Sequence, residues 1–211
     1  MARASSLCGV ILAAGASTRM GRDKALLPWP PQPQAVNLLS DTFLSAAIRS
    51  LMPITELVIV VAGQNGVSLT PVVDAIGATL VINPDPSRGQ FSSMQVGLQE
   101  VLSHGRDAAI VTLVDRPPVA PETVELLRRT FLDAPTPVWA VVPEFKGMHG
   151  HPFVVGRELI ELFLKAPATS NAREVEHQHQ SHIEYLTVDD PHIIANVDTP
   201  EDYEALEKQK T

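Results

Sequence analysis

The sequence predicts an α/β three-layer sandwich built on a mostly parallel sheet. Three observations predict it. Short unbroken runs rich in Val and Ile recur along the chain, amphipathic segments of helical period lie between them, and polar or glycine-bearing turns follow several of the runs directly. Strands covered on both faces read as continuous apolar runs, and strand–helix alternation joins such strands by right-handed crossovers.

In chain order, the runs at 7–12, 57–62, 79–82, 108–114 and 138–142 are the expected strands. Met94, Leu98, Val101 and Leu102 recur at helical spacing and place a helix before the fourth strand. Val124, Leu127 and Phe131 place another after it. Pro121 and Glu122 sit where a first helical turn tolerates proline and favours an acid. Near the end, Thr199 reads as an N-cap, Pro200 as N1 and Asp202 as the acid of a capping box, with Tyr203 and Leu206 as the apolar face that follows.

At 211 residues the chain is expected to be one domain, 1–211. Its 45% apolar and 19% charged residues are those of an ordinary globule. With 24 acidic and 16 basic side chains the formal charge is −8, a poor basis for gripping nucleic acid, although a small cationic pocket stays open. Cys8 is the single cysteine, so no internal disulfide is possible. That fits a reducing, cytoplasmic setting, with Cys8 as a small buried apolar residue. No apolar run approaches the ~18–20 residues of a membrane span, and no membrane partner is expected. The prolines at 28–33 read as a stiff loop. The opening "MARASSLCGVILAAGAS" superficially meets a secretory pattern. Its apolar part is short, however, and a spaced set of Gly, Ser, Arg, Gly and Lys follows it.

Ligands of open α/β sheets bind beyond the carboxyl ends of the strands. After the first strand, Gly15 leaves room for an anion, and Ser17 and Thr18 can donate to phosphate oxygens. Arg19 and Lys24 add a planar fork and a mobile point charge. The spacing is not that of a Walker loop, which requires G-x-x-x-x-G-K-S/T: Gly21 stands six positions after Gly15, and Lys24 three after Gly21. A polar turn with solvated charges is the plainer alternative. After the third strand, Gly89, Ser92 and Ser93 stand at a helix start, able either to cap it or to contact an anion or base. After the fourth, Asp115 can hold Mg²⁺ or merely start a turn. Asn196 and Asp198 can complete a metal site or organise the turn before Thr199.

"LAAGASTRMGRDKALLP" resembles the signature loop of the MobA-like nucleotidyltransferases, L-A/G-A/G-G-x-S-x-R-M-G-x-x-K. That group includes enzymes attaching CMP or GMP to molybdopterin, and cytidylyltransferases of this group are the nearest match. More distantly, the loop resembles those of methylerythritol phosphate cytidylyltransferase and the sugar-phosphate nucleotidyltransferases. "GQFSSMQVGL", "VDRPPVAP", "GHP" and "NVDTPEDYEAL" follow in the family's order across nearly the whole chain. The resemblance implies a Rossmann-like domain of the nucleotide-diphospho-sugar transferase type that splits a nucleoside triphosphate between its α- and β-phosphates.

Carried onto this chain, the resemblance places Leu12, Ala13, Ala14, Gly15, Ala16 and Ser17 around base and phosphates. Arg19 and Lys24 would balance phosphate charge, and Gly89, Ser92 and Ser93 would lie near base or ribose. Asp115 would hold Mg²⁺ with Asp198 or Asn196, so that Arg19, Lys24 and Asp115 form the catalytic set. "AAG" at 13–15 looks like the cytidylyl branch and points to CTP, with molybdopterin as the phosphorylated acceptor; "GRDKAL" has a guanylyl flavour. Methylerythritol phosphate cytidylylation, molybdopterin guanylylation and a non-catalytic nucleotide-binding regulator are the rival readings. Arg116 stands where the family more often has Met or Gln, beside the metal acid, and a cation there could displace Mg²⁺. His149, His151 and Arg173 are candidates to contact an anionic acceptor. His177, His179 and His182 share no helical face and read as a surface tract.

Overall fold

Among the residues that the computed structural model describes (6–31, 39, 41–167 and 169–208), the chain forms β1 (Cys8–Leu12), α1 (Phe43–Leu51), β2 (Leu57–Ala62), α2 (Gly66–Ile76), β3 (Thr79–Ile82), α3 (Gln90–Ser103), β4 (Ala108–Leu113), α4 (Pro121–Asp133), β5 (Ala140–Phe145), β6 (Met148–His149), β7 (Phe153–Gly156), α5 (Arg157–Lys165), α6 (Ala172–Gln178), β8 (Ile183–Thr187) and α7 (Pro200–Lys208). The strands make one sheet in the order β3-β2-β1-β4-β7-β5-β6, with β8 also paired to β5. β1, β2, β3 and β4 are mutually parallel. β7 runs antiparallel to both β4 and β5, so β5 returns to the direction of β1. The run that resembled a secretory core is therefore the sheet's central strand, paired on both edges.

The pleat sends alternate residues to opposite faces. Leu7, Ile11 and Ala13 point with Val58, Val60 and Ile110 towards α1, α2 and α4. Cys8, Val10 and Leu12 point with Ile59, Val61 and Val111 towards α3, α5 and α6. Burial pushes the Cys8 thiol up to about 11, which leaves it protonated and inert. A third cluster of Met20, Leu27, Phe43, Val197 and Tyr203 fastens α7 to the loop after β1. The expected stripes are seen: Met94, Leu98 and Val101 are buried on α3, and Val124, Leu127 and Phe131 on α4.

Two expected strands match in full, at 57–62 and 79–82. Those at 7–12 and 108–114 each lose one terminal residue. The fifth is displaced, Ala140–Phe145 instead of 138–142. Pro135 and Pro137 hold the chain in a turn there, closed by Val138 N donating to Pro135 O at 3.0 Å. The expected proline loop at 28–33 lies partly outside the described residues. Its visible start is tied down by Trp29 N to Asp41 O at 3.0 Å and by an edge-on contact of Trp29 with Phe43.

Gly97 shows how closely α3 lies on the sheet. A Cβ there would stand 2.6 Å from Val10 Cγ1 and 2.9 Å from Val61 Cγ2. In a free helix, Gly→Ala stabilises by about 1 kcal/mol. Here overpacking of about 1–3 kcal/mol opposes that gain. Gly97→Ala is expected to lower the urea midpoint; an unchanged or raised midpoint would contradict this packing.

Candidate active site

The strand order reverses between β1 and β4, the switch point where such sheets bind ligands. A crevice of about 1130 Å³ opens there. It exceeds the ~300–1,000 Å³ of an ordinary small-molecule site and has room for two ligands. Gly15, Arg19, Lys24, Asn65, Gln90, Asp115 and Asp198 are among its lining residues.

The loop after β1 is built on Ser17, in the left-handed region at φ 50°. Its carbonyl accepts from Met20 N and Gly21 N at 3.1 and 3.2 Å, and its hydroxyl oxygen accepts from Lys24 N at 3.1 Å. The hydroxyl proton stays available to a ligand. Asp23 caps the following 3₁₀ turn through Ala25 N at 3.0 Å and accepts from Asn65 Nδ2 at 2.7 Å. Asn65 also donates to Ala13 O at 3.0 Å and accepts from Gly63 N at 3.0 Å. One amide thus ties the end of β2 to the loop after β1.

Lys24 is aimed by this frame into the acids. Its Nζ lies 3.1 Å from Asp115 Oδ2 and 2.5 Å from Asp198 Oδ1. Its side chain is 11% exposed, whereas that of Arg19, whose Nη2 lies 3.1 Å from the same Asp198 oxygen, is 67% exposed. The hydrogen bond from Lys24, with the charges of Lys24 and Arg19, holds the Asp198 carboxyl below the usual carboxylate range. Asn196 gives its amide N–H to Asp198 Oδ2 at 2.8 Å. Behind Asp198, Asp202 Oδ2 accepts from the amides of Asp198 and Thr199, both at 2.9 Å, and Asp202 N donates to Thr199 Oγ1 at 3.2 Å. This is the capping box expected from the sequence.

Asp115 Oδ1 is buried with no partner among the described residues, and Asp115 Oδ2 and Asp198 Oδ1 share the Lys24 ammonium. A carboxylate with an orphaned oxygen, close to a second carboxylate, suits a hard divalent cation that keeps phosphate and water as its other ligands. Asp115 and Asp198 therefore fit such an ion, with Asn196 orienting Asp198. Among the described residues, no group of three or more His, Cys, Asp or Glu could hold a metal on its own.

Arg116 does not compete for that position. Its Nη1 turns to the carbonyls of Ile193 and Ala195, at 3.0 and 3.3 Å. Ser93 lines the crevice, but Ser92 does not: its hydroxyl donates to Gly89 O at 2.7 Å and accepts from the buried Asn83 amide at 2.9 Å. His149, His151 and Arg173 lie outside the lining. His149 stacks on Tyr185 at 4.1 Å, and Arg173 is exposed in the first turn of α6, whose N-cap is Asn171. Burial, with the nearby Arg116 charge, pushes His151 down to about 3, so it is neutral at pH 7 and offers an anion no charge. His182 stacks on Trp139 at 3.6 Å, which places that tract against the sheet's edge. Sequence reasoning missed Asp23, Gln64, Asn65, Asn83 and Gln90. The strand-end rule would have found Gln64 and Asn65 had it been applied after β2 as well.

A family described as the MobA-like NTP transferase domain matches residues 9–183. The chain is 24% identical to the molybdenum cofactor cytidylyltransferase of Escherichia coli, over 98% of each. It is 29% identical to a probable molybdenum cofactor guanylyltransferase of Rhodopirellula baltica, over 93% of this chain and 89% of that one. The crystal structure of Rv0371c from Mycobacterium tuberculosis superposes with a TM-score of 0.80 at 25% identity, covering 97% of this chain and 98% of that one. The same protein has been solved in complex with manganese.

Lys24→Met removes the buried cation that the two carboxylates share and leaves Asp198 only the exposed Arg19. Asp198 has a folded pKa below its ordinary 3.8. Its stabilising contribution is therefore complete above about pH 4 and lost as the pH falls through the folded value. Thermal melts followed by circular dichroism should show the variant well below the wild type at pH 7 and closer to it near pH 3. A gap that widened on acidification would contradict the bridge.

Proposed function

The chain belongs to the MobA-like NTP transferase domain family and is a nucleotidyltransferase, and from that premise we propose that it moves CMP from CTP onto the phosphate of molybdopterin with release of pyrophosphate. The observation that supports this reading most is the Lys24 ammonium set between Asp115 and Asp198 at the crevice mouth. An oxygen of the acceptor phosphate attacks the α-phosphorus and forms the new P–O bond. The bond from the α-phosphorus to the β-bridging oxygen breaks, and pyrophosphate leaves with the electron pair. The acceptor phosphate is already ionised near pH 7, so no side-chain nucleophile or base is required.

What falls to the protein is positioning and charge. The backbone at 12–17 embraces the nucleotide, with the Ser17 hydroxyl proton as one donor. Arg19, mostly exposed, swings onto the phosphates, and Lys24 neutralises charge on the α-phosphoryl and leaving groups. Gly89 and Ser93 face the nucleoside across the crevice. Asp115 and Asp198 would hold Mg²⁺, which would supply charge neutralisation for the phosphoryl transfer. Ala14 lines the crevice, and a methyl there, in place of a glycine, supports a pyrimidine over a purine. The named relatives include both a cytidylyl and a guanylyl enzyme, so GTP is the second reading. The case for a non-catalytic binder rested on Arg116 displacing the metal, and its guanidinium is turned to carbonyls instead.

Calorimetry with a panel of triphosphates and Mg²⁺ tests the nucleotide, and pyrophosphate release with molybdopterin or methylerythritol phosphate tests the acceptor. CTP is expected to bind at least about tenfold tighter than GTP, a difference of about 1.4 kcal/mol. Pyrophosphate should appear with CTP and molybdopterin together. Preference for GTP would replace the cytidylyl reading by the guanylyl one, and binding without any release would overturn the transferase reaction. Lys24→Ala and Asp115→Asn should each lower kcat by about 10²–10³-fold, the loss typical of one preorganised electrostatic group. Normal turnover by both would overturn the site.

A further inference from the structure

Asp198 belongs to no strand or helix; it stands on the segment between β8 and α7, after a 3₁₀ turn at Pro191–Ile193, whose N-cap Asp190 is anchored by Ala120 N and Thr123 Oγ1. Its placement beside Asp115 therefore depends on what holds that segment. Two adjacent residues at the end of β4 do so from one side. Asp115 O accepts from Val197 N at 2.9 Å, and Arg116 Nη1 donates to Ile193 O at 3.0 Å and Ala195 O at 3.3 Å. From the other side His151 N donates to the same Ile193 oxygen at 2.9 Å. Gly150 presses against it so closely that a Cβ would stand 2.2 Å from Ile193 O. The Ile193 carbonyl is thus gripped between two chain segments, and Arg116 supplies the only side-chain hydrogen bonds given to it and to Ala195 O among the described residues.

We propose that Arg116 is a positioning residue for the metal pair: by holding the carbonyls of Ile193 and Ala195, it sets where Asp198 stands against Asp115, and so how tightly the two acids bind a divalent cation. The inference rests on the reading of Asp115 and Asp198 as that pair, and is independent of which nucleotide or acceptor is used. Met offers no donor to the two carbonyls, whereas a guanidinium donates to both in a fixed geometry. An outer residue that orients a metal ligand typically changes affinity by about 10–100-fold when removed.

The experiment measures Mn²⁺ binding by electron paramagnetic resonance, with CTP present and no acceptor, on the wild type, Arg116→Met, Arg116→Lys and Gly150→Ala. Arg116→Met is expected to bind Mn²⁺ at least about tenfold more weakly, with kcat falling in step and KM for CTP within about threefold. Arg116→Lys, which keeps charge and donors, should recover part of the affinity. Gly150→Ala pushes the same carbonyl without touching Arg116 and should reproduce the loss, which keeps the test alive if Arg116→Met does not fold. Wild-type Mn²⁺ affinity in folded Arg116→Met, or in folded Gly150→Ala, would overturn the inference. A wild type that binds Mn²⁺ and CTP but releases no pyrophosphate with molybdopterin would count against the proposed reaction alone.

Discussion

The Lys24 ammonium between Asp115 and Asp198 is the interaction on which the rest of the site depends. Two carboxylates brought to one point repel each other unless a cation stands between them. Lys24 is that cation in the free protein. To reach its position it needs a loop of fixed shape, and the loop's internal bonds serve that end. Ser17 adopts a left-handed conformation and receives Lys24 N; Asp23 caps the turn that Lys24 opens; Asn65 ties Asp23 and Ala13 to the end of β2. The capping box of α7 performs the matching task for Asp198.

Much of this was legible in the sequence, for physical reasons that differ residue by residue. The runs at 57–62 and 79–82 were readable to the residue because Gly63 and Asn83 end them abruptly. Residues 138–142 misled because Pro135 and Pro137 hold a turn that an apolar count does not register. β8 escaped because Glu184 and Thr187 break its apolar run, and β7 because it passes straight into α5 at Arg157 with no turn between them. α5 carried a usable signal in Leu159, Ile160 and Phe163, all buried, that was not taken up. Within the site, Asp115 and Asp198 were each readable as acids at structural turns. That a lysine joins them was not, since it is a contact between three distant stretches of chain. Ser92 was ambiguous between cap and ligand contact, and its hydroxyl is turned inward. No local pattern could separate His149 or His151 from a binding role: what takes them out of the crevice is the stacking of one and the burial of the other.

Arg116, the Gly150–His151 turn and the segment before Asp198 are neighbours in space, joined through the Ile193 carbonyl. On the nucleotide side, the loop after β1 carries the signature, and Asn65 ties it to the end of β2. This division is what a nucleotidyltransferase requires. The triphosphate presents the same phosphates to every member of such a family, so its cradle is constrained, whereas the acceptor differs and the wall facing it is free to change. Arg116 follows Asp115 directly in the chain, and on the proposed reading Asp115 would hold the metal.

The same division explains how a chain of net charge −8 can take a triphosphate. At physiological salt an exposed charge is screened within about 8 Å, so the sign of the whole surface matters less than the groups lining the crevice. There Arg19, Arg22, Lys24 and Arg116 stand with Asp23, Asp115 and Asp198. Asp23 has both oxygens engaged, by Ala25 N and Asn65 Nδ2, and Arg116 is occupied with backbone carbonyls. What remains to face a ligand is Arg19, Arg22 and Lys24 against the Asp115–Asp198 pair. On the proposed reading, a divalent cation held by the two carboxylates would free Lys24 to face the phosphates. The cation and the nucleotide would then each supply what the other needs in order to bind, which would couple their affinities without any change of fold.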